Sequence, residues 1–307
     1  MSEPKVTDVT TGLQFPEGPV AMPDGTVLCV ELKRGTVDRV HPDGTIEVVA
    51  TPGGSPNGLA IGPDGAVYVC NSGGWDWHEL GEWNIPGAAL PADHSGGRIE
   101  RVDLATGDVT VLYTECDGNP LIGPNDIVFD ALGGMWFTDH GRNRERDKTL
   151  GGVYYAQPDG SAIREAIFPL DSPNGIGLSP DGTRLYVAET HTGRLMAWNV
   201  TAPGVADTSS PLGGAGGELL CRLPGMQLFD SLGVDGDGNV VVATLVTGAL
   251  TVVSPTAEVL DQVMLGDPMV TNVCFGGDDL RTAYATLSAS GRLVSFEWAR
   301  PGLRLNF

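Results

Sequence analysis

Basic side chains are scarce in this 307-residue chain: 18 Lys and Arg face 39 Asp and Glu, a formal charge of −21. That balance argues against nucleic acid as a partner, because phosphate recognition needs Lys and Arg gathered on one surface. The single basic cluster, Arg142-Asn143-Arg144-Glu145-Arg146-Asp147-Lys148, alternates with acids and reads as a solvated loop. Long hydrophobic runs are missing too. None approaches the roughly 20 residues of a membrane-spanning helix, and Met1 to Thr11 has no signal-type apolar region. The expectation is a soluble, cytoplasmic protein without a membrane partner. Cysteine is sparse, five residues at irregular spacing, so no disulfide framework is expected. Cys29, Cys70 and Cys274 stand in strand-like runs, as small core hydrophobes do.

Turn chemistry, in contrast, is abundant. The 44 Gly and 22 Pro disfavour long helices and suit many tight turns, while 41% hydrophobic residues suffice for a core. Six times, a short apolar segment follows a turn that carries one oxygen-bearing side chain: Glu17, Asn57, Asn125, Asn174, Asp230 and Asn272. Each segment leads into an acidic or Gly-rich turn, such as Asp24-Gly25, Asp64-Gly65 or Asp181-Gly182, and then a second apolar strand. Asp-Gly between apolar runs is a hairpin signal, since Gly accepts the positive φ of a tight turn. The six oxygens are separated by 40, 68, 49, 56 and 42 residues. That period, with two strands visible and room for two more, predicts one all-β domain over 1–307, a six-bladed β-propeller. The alternative is a sandwich or barrel of unrelated hairpins, which the phased oxygens disfavour.

Strand direction predicts which end carries chemistry. The oxygens open the innermost strands, and the second strands return to the same face, ending at Glu31, Asn71, Asp139, Glu189, Thr244 and Thr286. The loop from Asn71 to Gly97 should therefore overhang the mouth, with Trp75, Trp77 and Trp83 either lining substrate or packing the loop onto the rim. His140 and His191 follow two of the strand ends and are candidates for substrate contact, as is Asn57. A linker-like stretch, Thr201 to Gly217, is expected inside blade four or five.

Two carboxylates, Glu17 and Asp230, with amides from Asn125 and Asn174, form a hard oxygen set. It suits one divalent cation in the central channel, Ca²⁺ first, with Mg²⁺, Mn²⁺ or Zn²⁺ as alternatives. Turn capping explains Asn57 and Asn272 equally well, but not Glu17, a poor turn former.

These residues resemble a known family. Pro-Glu-Gly-Pro around Glu17, Pro-Asn-Asp at 124–126, Pro-Asn-Gly at 173–175, Asp230 and the closing Thr271-Asn272-Val273-Cys274-Phe275-Gly276-Gly277 look like the senescence marker protein/gluconolactonase family, over roughly 15–297. Squid-type diisopropyl fluorophosphatases and luciferin-regenerating proteins are related to it. The resemblance implies a cation held by residues matching Glu17, Asn174 and Asp230. The residue matching Asn125 is a ligand in fluorophosphatase-like members and a substrate contact in sugar lactonases. Animal-type sugar lactonases carry Arg two residues before that Asn, where Gly123 stands here. The expected activity is metal-dependent opening of a lactone, with Asp230 as general base or nucleophile, Asn125 bridging ion and substrate, and Asp139 carrying a proton. The rivals are an organophosphate-hydrolysing or other metal-dependent hydrolase or hydratase, and a non-enzymatic calcium-binding propeller.

Overall fold

A computed structural model describes residues 4–87, 89–211 and 213–307, and among them there is no helix, so none could cross a membrane. Six antiparallel blades, five of four strands and one of five, build the ring. Their innermost strands are Pro16–Ala21, Pro56–Ile61, Pro124–Phe129, Pro173–Leu178, Leu228–Val234 and Val270–Gly276. The second strands are Val27–Glu31, Val67–Asn71, Met135–Asp139, Arg184–Glu189, Val240–Leu245 and Thr282–Leu287, in the order the hairpin pattern predicts. In the first hairpin the Gly25 N–H donates to Met22 O (3.0 Å) and Asp24 Oδ1 accepts from the Thr26 N–H (2.9 Å). Gly25, at φ +85°, takes the left-handed position that ends such turns. Every innermost strand touches the next, and the sixth touches the first, so the ring is closed.

The core is divided into wedges. Six apolar clusters each fill one boundary between neighbouring blades, because alternate side chains of a strand point to opposite faces. Met135 and Phe137 pack toward blade 2 while Trp136, between them, packs toward blade 4. Each such side chain contributes about 2 kcal/mol of burial.

Two closures lie outside the repeats. Blade 6 takes its outer strand from the other end of the chain: Thr7–Thr11 pairs with Arg292–Glu297, joining the first and last blades. The C-terminal tail runs across the opposite end of the ring. Leu303 donates its N–H to Val234 O (2.9 Å), Asn306 reaches Phe129 O (2.8 Å), and the Phe307 ring lies 6.0 Å from that of Phe129. These contacts lie where the innermost strands end, leaving the oxygen-bearing face as the other end of the channel. Thr201 to Gly217 connects Arg194–Ala202 to Glu218–Arg222 within blade 4, where Ala215 O accepts from the Trp198 indole (2.8 Å). All five cysteines are free thiols, four of them buried.

Candidate active site in the central channel

The bulges decide where the site is. In every innermost strand the pairing register with the second strand slips beside the channel residue, for instance between Glu17 and Val20, Pro124 and Ile127, or Phe229 and Leu232. A bulge re-aims side chains away from the ladder, and six of them at one level build a ring. Glu17, Asn57, Asn125, Asn174, Asp230 and Asn272 are all buried there, at 3% to 8% exposure. Glycine lets the strands approach. A Cβ on Gly58 would lie 2.6 Å from Asn125 O and from Asp126, and one on Gly175 would lie 2.7 Å from Asp230 O.

The hydrogen bonds are directional. Asn272 Nδ2 and the Gly18 N–H each donate to Glu17 Oε2 at 3.1 Å. Asn174 donates from Nδ2 to Thr190 Oγ1 (3.1 Å), and its Oδ1 accepts from Ser231 Oγ (3.3 Å). Asn57 Oδ1 and Asn125 Oδ1 are buried and accept from nothing. Burial pushes the Glu17 carboxyl up to about 7, with hydrogen bonds from Asn272, Gly18 and Thr271 opposing it. Burial, then the charge of Glu17, pushes Asp230 well above the carboxylate range. A third carboxylate joins them. Asp126 is 7% exposed, accepts the Ile127 N–H (2.9 Å), and is raised to about 7 by burial and by Glu17. No basic side chain offsets any of the three. Among the described residues no three His, Cys, Asp or Glu side chains make a ready metal cluster. The channel offers instead carboxylates mixed with amide oxygens, two of them unpartnered, and that donor set fits a hard divalent cation.

Asp126 was missed in the sequence, although its signal is visible. The residue after the ring oxygen is Gly18, Gly58, Gly175, Ser231 or Val273 in the other five repeats. An Asp among them has no role in turn formation.

The second ring clasps loops. Asp139 accepts three backbone N–H groups, from Ile122 (2.7 Å), Gly123 (2.8 Å) and Gly141 (2.8 Å). Asn71 likewise accepts from Ser55 (3.0 Å) and Gly73 (2.9 Å), and Glu189 from Asp171 (3.1 Å). Each ties the loop leaving a second strand to the one entering an innermost strand. Beyond Asp139, His140 is half-buried, with its Nδ1 buried and unpartnered and its ring 5.4 Å from that of His191. Burial drives His140 down to about 3, leaving it neutral. His191 is also lowered by burial and is held by Ser172 Oγ and Asn143.

The insertion from Asn71 to Gly97 folds as a hairpin, Trp77–Leu80 with Trp83–Pro86. It crosses blade 1, where Lys33 Nζ donates to Asn84 Oδ1 (2.6 Å), and reaches blade 6, where the Asn84 N–H meets Ala289 O (3.1 Å). Its tryptophans divide. Trp77 packs on Phe15 with ring centroids 5.3 Å apart, and Trp83 is 45% exposed. Trp75 lies under the Arg142 guanidinium, 4.7 Å from ring centroid to Cζ. A cavity of ≈ 380 Å³ opens beside the insertion, lined by Lys33, Ser55, Gly73, Trp75, Trp77 and Asp93 among others. Arg142 itself corrects the reading of its segment as a solvated loop: it is 3% exposed, because the Trp75 ring covers it.

Known proteins resemble the whole ring. "Lactonase drp35" of Staphylococcus epidermidis is 28% identical over 268 residues, 86% of this chain and 73% of that protein. "Gluconolactonase" of Zymomonas mobilis is 25% identical over 295 residues, 87% of this chain and 75% of that one. The crystal structure of a calcium-binding regucalcin from Agrobacterium tumefaciens superposes with a TM-score of 0.73 at 20% identity, covering 98% of this chain and 97% of that one, and so shares its fold. The family model described as "SMP-30/Gluconolactonase/LRE-like region" matches residues 15–289, and the chain belongs to that family.

Proposed function

We propose that the protein is a divalent-metal-dependent hydrolase that opens a lactone ring. The observation that carries this reading is the pair of buried carboxylates, Glu17 and Asp230, raised by burial with no basic partner and framed by free amide oxygens. Burying such charge costs several kcal/mol unless a cation offsets it. The relatives named lactonase and gluconolactonase supply the reaction class, and the regucalcin fold supports Ca²⁺ as the first ion to test.

Glu17, Asn125, Asn174 and Asp230 would hold the ion, which when bound supplies Lewis-acid polarisation of an ester carbonyl and eases deprotonation of water. Asp230 then takes the proton of the attacking water and returns it to the ring oxygen as the carbon–oxygen bond breaks, so the product is a hydroxy acid. Asn125, with its free Oδ1 and its place beside Asp126, orients the substrate from blade 3, and Asn57 accepts a substrate hydroxyl. Neutral His140 and His191 give uncharged hydrogen-bonding walls, and Trp75 and Trp77 give apolar ones. Asp139, with three amides on its oxygens, fixes the loop that carries His140 and Arg142.

The test is acid release from gluconolactone, followed in a pH-stat with chelated and Ca²⁺-restored protein. Turnover that disappears on chelation and returns with the ion supports the reading. Turnover indifferent to chelation overturns the metal's part, and metal binding without any lactone or ester turnover overturns the enzyme.

A further inference from the structure

Arg142 is a cation without a counter-charge. Arg98 and Arg142 are the two arginines buried among the described residues, and Arg98 is ion-paired to Glu100 at 2.5 Å. Arg142 has no such pair: the carboxylate with most influence on it, Asp139, is already held by three amides. Its Nη2 makes long contacts of 3.4 Å with Ser72 O, Gly74 O and His94 Nε2, and its Nε and Nη1 make none. The two free nitrogens lie on different edges of the guanidinium, while Trp75 covers its face. The Trp75 indole nitrogen is a further buried donor without an acceptor.

These donors are not scattered. Among the described residues ten buried side-chain nitrogen and oxygen atoms lack a partner, and six belong to Asn57, Trp75, Asn125, His140 and Arg142. Native proteins leave few such groups, and those they leave call for an explanation. Here the free acceptors, Asn57 and Asn125, sit in the ring, and the free donors, Arg142 and Trp75, belong to segments that leave second strands ending on the same face, at Asp139 and Asn71. We propose that Arg142, seated on Trp75, is a specificity-determining residue that binds a carboxylate carried by the lactone substrate. The proposal rests on the lactone-hydrolase reading and names its substrate class: a lactone with a second, ionised carboxyl group.

Three arguments favour a carboxylate. A guanidinium with unpartnered N–H groups suits an anionic oxygen better than a hydroxyl, through charge-assisted bonds. In a chain of charge −21 an anionic substrate is repelled at long range, so recognition needs a local cation shielded from water. The loop geometry also explains why the cation comes from position 142. A Cβ on Gly123 would lie 2.9 Å from Gly141 O, so the Asp139–Arg142 loop occupies the space that a side chain at position 123 would need.

The experiment compares glucarolactone with gluconolactone, which differ at the terminal carbon, carboxylate in one and CH₂OH in the other. Wild type, Arg142→Gln and Arg142→Lys are assayed with saturating Ca²⁺, after melting curves show that each variant folds. Arg142→Gln should raise KM for glucarolactone roughly ten- to a hundredfold, the scale of a charge-assisted hydrogen bond. Its kcat, and both constants for gluconolactone, should stay within about threefold. Arg142→Lys should fall between. Equal effects on the two lactones, or a wild-type preference for gluconolactone, would overturn the subsite while leaving the lactonase intact. If neither lactone is opened, the lactonase reading fails, and calorimetric titration with glucarate decides the subsite alone. Binding to wild type that Arg142→Gln abolishes supports it, and no binding refutes it.

Discussion

Metal-free protein should lose stability as the pH rises from 5 to 8, and Glu17→Gln should flatten part of that loss. Burial lifts the Glu17 carboxyl from its ordinary 4.5 to about 7. A carboxyl raised in the folded state binds its proton more tightly there than in the unfolded chain. The stability that goes with the protonated form is therefore complete below pH 4.5 and lost as the pH climbs through 7. The gap, 7 less 4.5, is about 2.5 pH units, and at 1.36 kcal/mol each this amounts to about 3 kcal/mol. In a domain of this size that is roughly 5 °C in Tm. Wild type alone does not isolate the effect, because Glu31, buried beside Asp38 outside the ring, is also raised to about 7. The difference between wild type and Glu17→Gln removes that background and reports Glu17 together with the part of the Asp126 and Asp230 shifts that its charge causes. Scanning fluorimetry in chelator at pH 5, 6, 7 and 8 should show wild type falling further than the variant, and Ca²⁺ should restore wild type most at pH 8. Parallel melting curves for the two proteins would refute the reasoning.

Asp230→Asn should lower lactone turnover at least about 10²-fold even with excess metal, the scale of a positioned base; turnover retained at saturation would leave Asp230 a ligand alone. Trp77→Ala should cost about 3 kcal/mol of stability through its lost packing on Phe15 and raise KM for an apolar lactone, whereas Trp83→Ala, on an exposed ring, should do neither; melting curves beside Michaelis plots separate the two. Truncation after Pro301 removes Leu303, Asn306 and Phe307 from the closed end of the ring, and should lower Tm by several degrees; an unchanged Tm would mean that the tail adds nothing to the closure.

The hairpins and their phase were legible because two local rules coincide: Asp-Gly sets the turn, and one oxygen-bearing residue opens each innermost strand. The closure of the ring was not. Thr7–Thr11 is a polar segment whose partner, Arg292–Glu297, lies nearly the whole chain away, and no local pattern encodes that pairing. The C-terminal tail was illegible for the same reason, since it touches three blades without repeating any. Within the site, the ring oxygens stood out by recurrence, while Asp126 broke a recurrence and was passed over. Arg142 was hidden differently. Its neighbours Arg144 and Lys148 pair with acids on the surface, as a solvated loop should, and only the insertion arriving from blade 2 turns one residue of that loop inward. Composition therefore describes the segment correctly on average and misses the single position that is buried under the Trp75 ring.

The measurement that bears most directly on the central claim is calorimetric titration of Ca²⁺ into the metal-depleted protein, beside Glu17→Gln, Asn174→Ala and Asp230→Asn. The account predicts a site in wild type that takes up one ion, weakened in each variant while the far-ultraviolet spectrum is unchanged, because side chains from blades 1, 4 and 5 each supply an oxygen to the same cation. Absence of binding in wild type, or equal affinity in all four proteins, would contradict it.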